Sequence, residues 1–191
     1  RVNVFSPNLS FLMLLMLPPG PGPFPVFING DGCWLQTLSR EILGLAIKRG
    51  YAVAVFNRVE IAPDNNDAYS LTGLPALFPR KRPPAIAAWA WGCHRVADAL
   101  LQFEKIDPKR IGVTGHSRGG KTALLAGATD ERIALTAPNN SGCGGAGCFR
   151  FPDQGGETLE RILAGFPHWF SKNLSAYAGR EDDLPFDLHS L

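Results

Sequence analysis

The chain has 191 residues, of which 45% are hydrophobic and 19% charged, a length and composition typical of one globular domain with a sizeable core. Its net charge of +2 gives no reason to expect a nucleic-acid partner, and we expect the one basic cluster, residues 79–83, to form a solvated loop. The four cysteines form no C-x-x-C pair of the kind that binds metal ions. Cys143 and Cys148 are close enough for a strained disulfide, but free thiols fit the sequence equally well.

The hydrophobic pattern predicts strands that alternate with helices from residue 25 onward. The apolar run Leu9–Leu17 is far shorter than the roughly 20 residues of a membrane span and is not typical of a signal peptide, so we predict a strand there. The predicted strands are Val2–Phe5, Phe11–Leu17, Pro25–Asn29, Ala52–Phe56, Ile111–Thr114 and Ile133–Ala137. The predicted helices are Leu35–Arg49, Ala85–Lys105, Gly119–Ala128 and Glu157–Phe170.

The sequence from Gly115 to Gly119, GHSRG, fits the G-x-S-x-G pattern of a nucleophile elbow between a strand and a helix. This chemistry needs Ser117 at the apex of a strained turn, with small residues two positions before and after it so that strand and helix pass closely. The adjacent helix N-terminus has free N–H groups that favour a developing oxyanion. The pattern therefore predicts a serine nucleophile.

The same stretch also matches a phosphate-binding P-loop. Residues 115–122 fit G-x-x-x-x-G-K-[ST], with Lys121 and Thr122 in the required places. A P-loop enzyme usually also needs an acidic residue at the end of an apolar strand to hold Mg²⁺. Here the neighbouring apolar runs end in asparagines, which favours the elbow, while a glycine-rich turn without chemistry remains a third interpretation.

The order of elements predicts an α/β-hydrolase fold with three layers and a mostly parallel sheet. In that fold the acid and the histidine of the catalytic triad follow later strands than the serine. We find no strand after Ile133–Ala137, so we expect residues 1–191 to be the N-terminal portion of a single α/β-hydrolase domain, which stops before the last strands.

Several longer stretches resemble one family closely. GHSRGGKTALLAGATDERIALTAPNNSGCGG is followed by GGETLERI, FPHWFSKNLSAY and LPFDLHSL, and is preceded by GYAVAVFNRVEIAPDN, LFPRKRP and AIAAWAWGCHRVADAL. In this order the motifs resemble the glucuronoyl esterases of carbohydrate esterase family fifteen, in their bacterial form. The resemblance covers most of the chain from about residue 25, and it argues against a P-loop.

The resemblance implies an enzyme that cleaves esters of glucuronic acid on xylan, as found in lignin–carbohydrate links, without a metal ion or cofactor. By position, Ser117 matches the nucleophile and Arg118 the residue that stabilises the oxyanion. Lys121 matches the lysine that binds sugar hydroxyls, one helical turn after the serine. Glu157 lies where the family places a sugar-binding Gln or Glu, although a glutamate in the first turn of a helix is an equally good interpretation.

The chain departs from the family in its remaining catalytic groups. Fungal members carry a catalytic glutamate where this chain has Asn140, and an amide cannot stabilise an imidazolium as a carboxylate does. We expect the family acid and histidine to lie beyond Leu191. We interpret His116, His168 and His189 as packing or structural residues.

Three function classes remain open on the sequence. The chain is part of a glucuronoyl-type esterase, of a serine esterase that acts on another acyl ester, or of an inactive relative that only binds carbohydrate. By resemblance, the partner is glucuronoxylan or another uronic-acid ester and the location is secreted or periplasmic, with no nucleic acid and no membrane span. The fragment alone is expected to be almost inactive, because a triad member is missing.

Overall fold

A computed structural model describes residues 2–3, 9–33, 39–151 and 155–187. A five-stranded sheet has the order β3-β5-β4-β6-β7, and only β3 is antiparallel to its neighbour. Its strands are β3 (Met13–Met16), β4 (Phe24–Asn29), β5 (Ala52–Phe56), β6 (Ile106–His116) and β7 (Ile133–Asn139). A separate short pair is formed by β1 (Val2–Asn3) and β2 (Ser10–Phe11).

Helices lie on both faces of the large sheet. The α-helices are α1 (Arg40–Lys48), α2 (Gly73–Leu77), α3 (Ala85–Leu100), α4 (Arg118–Ala128) and α5 (Leu159–Gly165). Short 3-10 helices span Arg58–Glu60, Lys172–Tyr177 and Glu181–Asp183. This arrangement confirms the three-layer, mostly parallel α/β fold that the sequence predicts.

Alternation along the strands explains the two covered faces. Val26 and Ile28 of β4 are buried in the main core, whereas Phe27 between them points to the groove under α1. That core is formed with α3, which contributes ten buried residues, among them the fully buried Trp89. The indole N–H of Trp89 donates to the Ala62 carbonyl at 2.8 Å, so its polar atom is satisfied inside the core.

Several predicted boundaries need correction. The predicted strand Phe11–Leu17 is divided between β2 and β3, which belong to different sheets. The predicted helix Ala85–Lys105 ends at Leu100, and the predicted helix Glu157–Phe170 is confined to Leu159–Gly165. Proline at position 167 disfavours helical backbone at residue 166, which is where the second helix stops. Residues 35–38 of the predicted first helix lie outside the described residues.

The described cysteines are free thiols, which resolves the alternative left open by the sequence. The Cys143 sulfur contacts the Cys148 carbonyl oxygen at 3.1 Å rather than the Cys148 sulfur. Burial raises the pKa of the Cys143 thiol.

Candidate active site

Ser117 is the single residue between β6 and α4. Its backbone angles are φ 54° and ψ −119°, in a region that residues other than glycine seldom adopt. Strain of this kind persists only where the surroundings impose it, and it is typical of functional sites. The prediction of a sharp, strained turn at Ser117 is therefore confirmed.

The two glycines of the elbow are required by close packing of strand and helix. A Cβ atom on Gly115 would lie 2.3 Å from the carbonyl oxygen of Gly119, far inside a normal contact distance. The structure thus supplies the physical reason for the G-x-S-x-G spacing: a larger residue at Gly115 would separate β6 from α4.

A buried ion pair contacts the backbone of the elbow. Asp31, just after β4, accepts a hydrogen bond from the backbone N–H of His116 at 2.7 Å and another from the Arg58 guanidinium. The side chains of Asp31 and Arg58 are at most 2% exposed. A Cβ on Gly119 would lie 2.1 Å from the Asp31 carboxylate, so this glycine also makes room for the aspartate. Sequence reasoning missed Asp31, because no motif singles it out.

Arg118 is held by a carboxylate and two aromatic rings. Its Nη1 donates to Asp64 Oδ2 at 2.7 Å, and its guanidinium lies 4.7 Å from the ring centre of Trp169 and 5.0 Å from that of Phe166. Planar guanidinium groups suit both contacts, since they pair with carboxylates and stack on aromatic faces. Arg118 is consequently fixed beside the nucleophile.

Asp64 connects this arginine to the segment after α5. It accepts hydrogen bonds from Trp169 Nε1 at 2.8 Å and from His168 Nε2 at 3.3 Å. Burial alone would raise the pKa of Asp64, but the hydrogen bonds from Trp169 and Arg118, together with the charge of Arg118, outweigh it and lower the pKa. Asp64 therefore stays ionised. It belongs to the family-like stretch 50–65, yet that resemblance alone gave it no role.

Lys121 and Glu157 come together one helical turn after the elbow. The Lys121 side chain is 2% exposed, and its Nζ donates to Glu157 Oε2 at 2.9 Å and to the carbonyl oxygen of Ser141. The backbone N–H of Lys121 donates to the Ser117 carbonyl, which places the lysine one turn after the nucleophile. Glu157 precedes Thr158, the N-cap of α5, so the interpretation of Glu157 as a residue of the first helical turn is wrong.

The described histidines are directed to other partners. His94 Nε2 lies 3.1 Å from the Ala126 carbonyl oxygen, His116 Nδ1 lies 3.2 Å from the side-chain nitrogen of Asn139, and His168 contacts Asp64. Across residues 9–33, 39–151 and 155–187, no side-chain hydrogen bond involves Ser117, so none of these three histidines is placed as its base. Asn140 has a left-handed backbone with φ 45°, directly after β7. His189 lies outside the described residues.

The described part of the chain contains no group of three or more His, Cys, Asp or Glu side chains that could hold a metal ion. Within the same residues, no helix is both long and apolar enough to cross a membrane. Lys121 lines an apolar groove of about 510 Å³ together with Trp169 and Phe170. Whether Ser117 also opens to a cleft remains a prediction.

The strand–elbow–helix unit in a mostly parallel sheet defines an α/β-hydrolase. The model of a family described as "Glucuronyl esterase, fungi" matches residues 1–191. The chain is 36% identical over 203 residues to a 4-O-methyl-glucuronoyl methylesterase of Thermothelomyces thermophilus, covering 100% of this chain and 48% of the relative. The chain belongs to the glucuronoyl esterase family.

Solved structures of glucuronoyl esterases support the same family membership. A glucuronoyl esterase from Solibacter usitatus superposes with a TM-score of 0.82 at 30% identity, covering 98% of this chain and 57% of that one. A serine-to-alanine mutant of the Sporotrichum thermophile glucuronoyl esterase, in complex with methyl 4-O-methyl-β-D-glucopyranuronate, gives a TM-score of 0.76 at 34% identity and covers 93% and 48% of the two chains. The chain spans about half the length of the curated relatives it matches. Because both bacterial and fungal enzymes match, the bacterial form stays a prediction.

Proposed function

We propose that the protein containing this chain hydrolyses esters of glucuronic acid, with Ser117 as the nucleophile. The observation that carries the proposal is the strained backbone of Ser117, which is followed by two cations held by carboxylates, Arg118 and Lys121. Family membership supports the same substrate class, since the matched relatives are named for 4-O-methyl-glucuronoyl esters. The natural substrate would then be glucuronoxylan esterified to an alcohol, and the enzyme would act on lignocellulose outside the cell.

In this mechanism the Ser117 hydroxyl oxygen attacks the ester carbonyl carbon and the carbonyl oxygen becomes an oxyanion. As the carbon–oxygen bond to the alcohol breaks, the leaving oxygen receives the proton that Ser117 has lost. Water then attacks the acyl-serine, releases the uronic acid and returns a proton to the Ser117 oxygen. Arg118 would stabilise the oxyanion, because Asp64 and two aromatic rings already fix its guanidinium before the charge develops. Such preorganised donors are worth about 3 kcal/mol each.

Lys121 and Glu157 would hold the sugar. A lysine whose ammonium donates to a carboxylate and a carbonyl retains a third donor for a sugar hydroxyl. Glu157 is 45% exposed and offers acceptor oxygens next to it. A donor and an acceptor side by side match the vicinal hydroxyl groups of a pyranose ring.

The test is hydrolysis of benzyl glucuronate by the full-length protein, by its Ser117→Ala variant and by the 191-residue chain. We expect activity in the full-length protein, its loss in the variant, and very little in the chain alone, because no base contacts Ser117 among the described residues. Activity that survives Ser117→Ala would refute the nucleophile. Hydrolysis of simple acyl esters but not of glucuronate esters would instead indicate a general serine esterase.

A further inference from the structure

A groove of about 780 Å³ lies between the loop 79–84 and the segment 167–173. Four cationic side chains line it, and its remaining lining residues are neutral apart from a histidine. The cations are Arg80, Lys81, Arg82 and Lys172. No aspartate or glutamate is among the lining residues, so the groove has one sign of charge although the whole chain carries only +2.

These four cations differ from three other surface arginines of the protein. Arg110, Arg132 and Arg180 each form an ion pair with an aspartate close in sequence or space. Within the part of the chain that the structure describes, the four groove cations form no ion pair and no side-chain hydrogen bond. Their charge is therefore available to a ligand, and grooves lined by one sign of charge concentrate counter-ions.

His168, one of the lining residues, has a buried polar atom without a partner in the described part of the chain. The His168 side chain is 4% exposed, and its Nδ1 has no hydrogen-bond partner among the described residues. Because Nε2 faces the Asp64 carboxylate, Nδ1 is the ring nitrogen left to interact with a water or a sugar hydroxyl, which is the usual explanation of an unpaired buried polar atom. Tyr69 donates its hydroxyl proton to the Pro83 carbonyl and so ties the basic loop to the rest of the protein.

We propose that this groove binds the free carboxylate groups of a uronic-acid-bearing oligosaccharide, as a second subsite beside the active site. Guanidinium and ammonium groups are the usual partners of carboxylates. Neutral donors and acceptors suited to sugar hydroxyls line the same groove, namely Asn66, Ser171 and Asn173. The choice of a uronate over other anions rests on the proposed function, whose polysaccharide carries uronic acids.

The groove is connected to the active site through one carboxylate. His168 contacts Oδ1 of Asp64, while Arg118 donates to Oδ2 of the same group. A polysaccharide that occupied the groove would thus lie one residue away from the arginine next to the nucleophile. This placement suits a substrate chain with several uronic acids, one of them esterified and others free.

The experiment measures binding of tetragalacturonate, a probe with four free carboxylates, to the full-length Ser117→Ala protein by calorimetry at low salt. The triple variant Arg80→Gln, Lys81→Gln, Arg82→Gln should bind about tenfold more weakly, since exposed ion pairs contribute modestly each. The matched control replaces Lys48, Lys105 and Lys109 by glutamine, which removes the same charge outside the groove. We expect the control to bind normally, and raised salt to weaken binding to the unmodified groove.

Equal losses in the two triple variants would overturn the proposal, because only overall charge would then matter. Equal binding of neutral xylotetraose, or tighter binding of a short DNA duplex, would also overturn it. Hydrolysis of benzyl glucuronate by the otherwise native protein is measured separately. Hydrolysis without tetragalacturonate binding refutes the groove alone, whereas binding without hydrolysis refutes the proposed function alone.

Discussion

The two cations beside Ser117 are held in different ways. The Arg118 side chain forms an ion pair with Asp64 and lies over two aromatic rings. The Asp64 side chain is only 12% exposed. The Lys121 side chain is itself buried, but its partner Glu157 is 45% exposed. One cation is thus fixed by a largely buried anion, and the other is a buried cation that faces an accessible anion.

This difference fits two tasks. Stabilising an oxyanion requires a donor that does not move when charge develops, which is what Asp64 and the aromatic rings provide for Arg118. Binding a sugar requires groups that exchange water for hydroxyls, which an exposed carboxylate does readily. The comparison therefore assigns the chemical step to the Arg118 side and sugar recognition to the Lys121 side.

The largest expected effect comes from the buried ion pair between Asp31 and Arg58, which contacts the elbow through His116. Asp31→Asn removes the charge that faces the buried Arg58, and breaking a buried pair commonly costs about 3–5 kcal/mol. We expect the free energy of unfolding to fall by that order in denaturant titrations. In the fraction of the Asp31→Asn variant that still folds, kcat for glucuronate esters should fall with little change in KM. Asp107→Asn, which breaks a pair at an exposed arginine, is the control. Equal stability of the two variants would contradict a supporting role for Asp31.

Arg118→Ala should lower kcat for benzyl glucuronate by about 10²–10³-fold, the usual cost of one oxyanion donor. Arg118→Lys should restore little, because an ammonium group cannot both pair with Asp64 and stack on the rings in the same way. Arg161→Ala, on the nearby α5, serves as the control. A rise in KM with unchanged kcat would instead place Arg118 in substrate binding.

These predictions also show which parts of the molecule were accessible from sequence. The elbow was predictable, since its glycines and serine are adjacent in the chain and their spacing follows from local packing. The ends of α3 and α5 were not, because tertiary contacts and, at α5, Pro167 override periodicity there. Asp31 and Asp64 were not predictable either, since they meet His116 and Arg118 across 85 and 54 residues of chain.

Asp64→Asn should reduce the stabilisation of the oxyanion by Arg118 without abolishing it. We expect kcat to fall about tenfold, because an amide oxygen still accepts a hydrogen bond but carries no charge. The lowered pKa of Asp64 also predicts a pH effect on stability. The folded protein keeps this carboxylate ionised below its ordinary pKa of 3.8, so its stabilisation is complete above that pH and is lost as the pH falls through the lower folded value.

The direction of this pH effect is tested by measuring the free energy of unfolding as a function of pH. The stability difference between the native protein and Asp64→Asn should be constant at neutral pH and should shrink on acidification. The control variant is Asp67→Asn, at an exposed neighbouring aspartate that forms no ion pair within the described part of the chain. A stability difference that grows as the pH falls would contradict the assignment of a lowered pKa.

The smallest effect is expected on the Lys121 side. In Glu157→Gln the side chain can still accept from Lys121, and partly exposed ion pairs contribute only about 0.2–1 kcal/mol. We therefore expect KM for glucuronate esters to rise about two- to fivefold with kcat unchanged, because uniform binding of substrate and transition state affects KM alone. Glu160→Gln, in the first turn of α5, is the matched control and should leave both parameters unchanged. A hundredfold fall in kcat would reverse the comparison, because Glu157 would then take part in the chemical step that we assign to the Arg118 side.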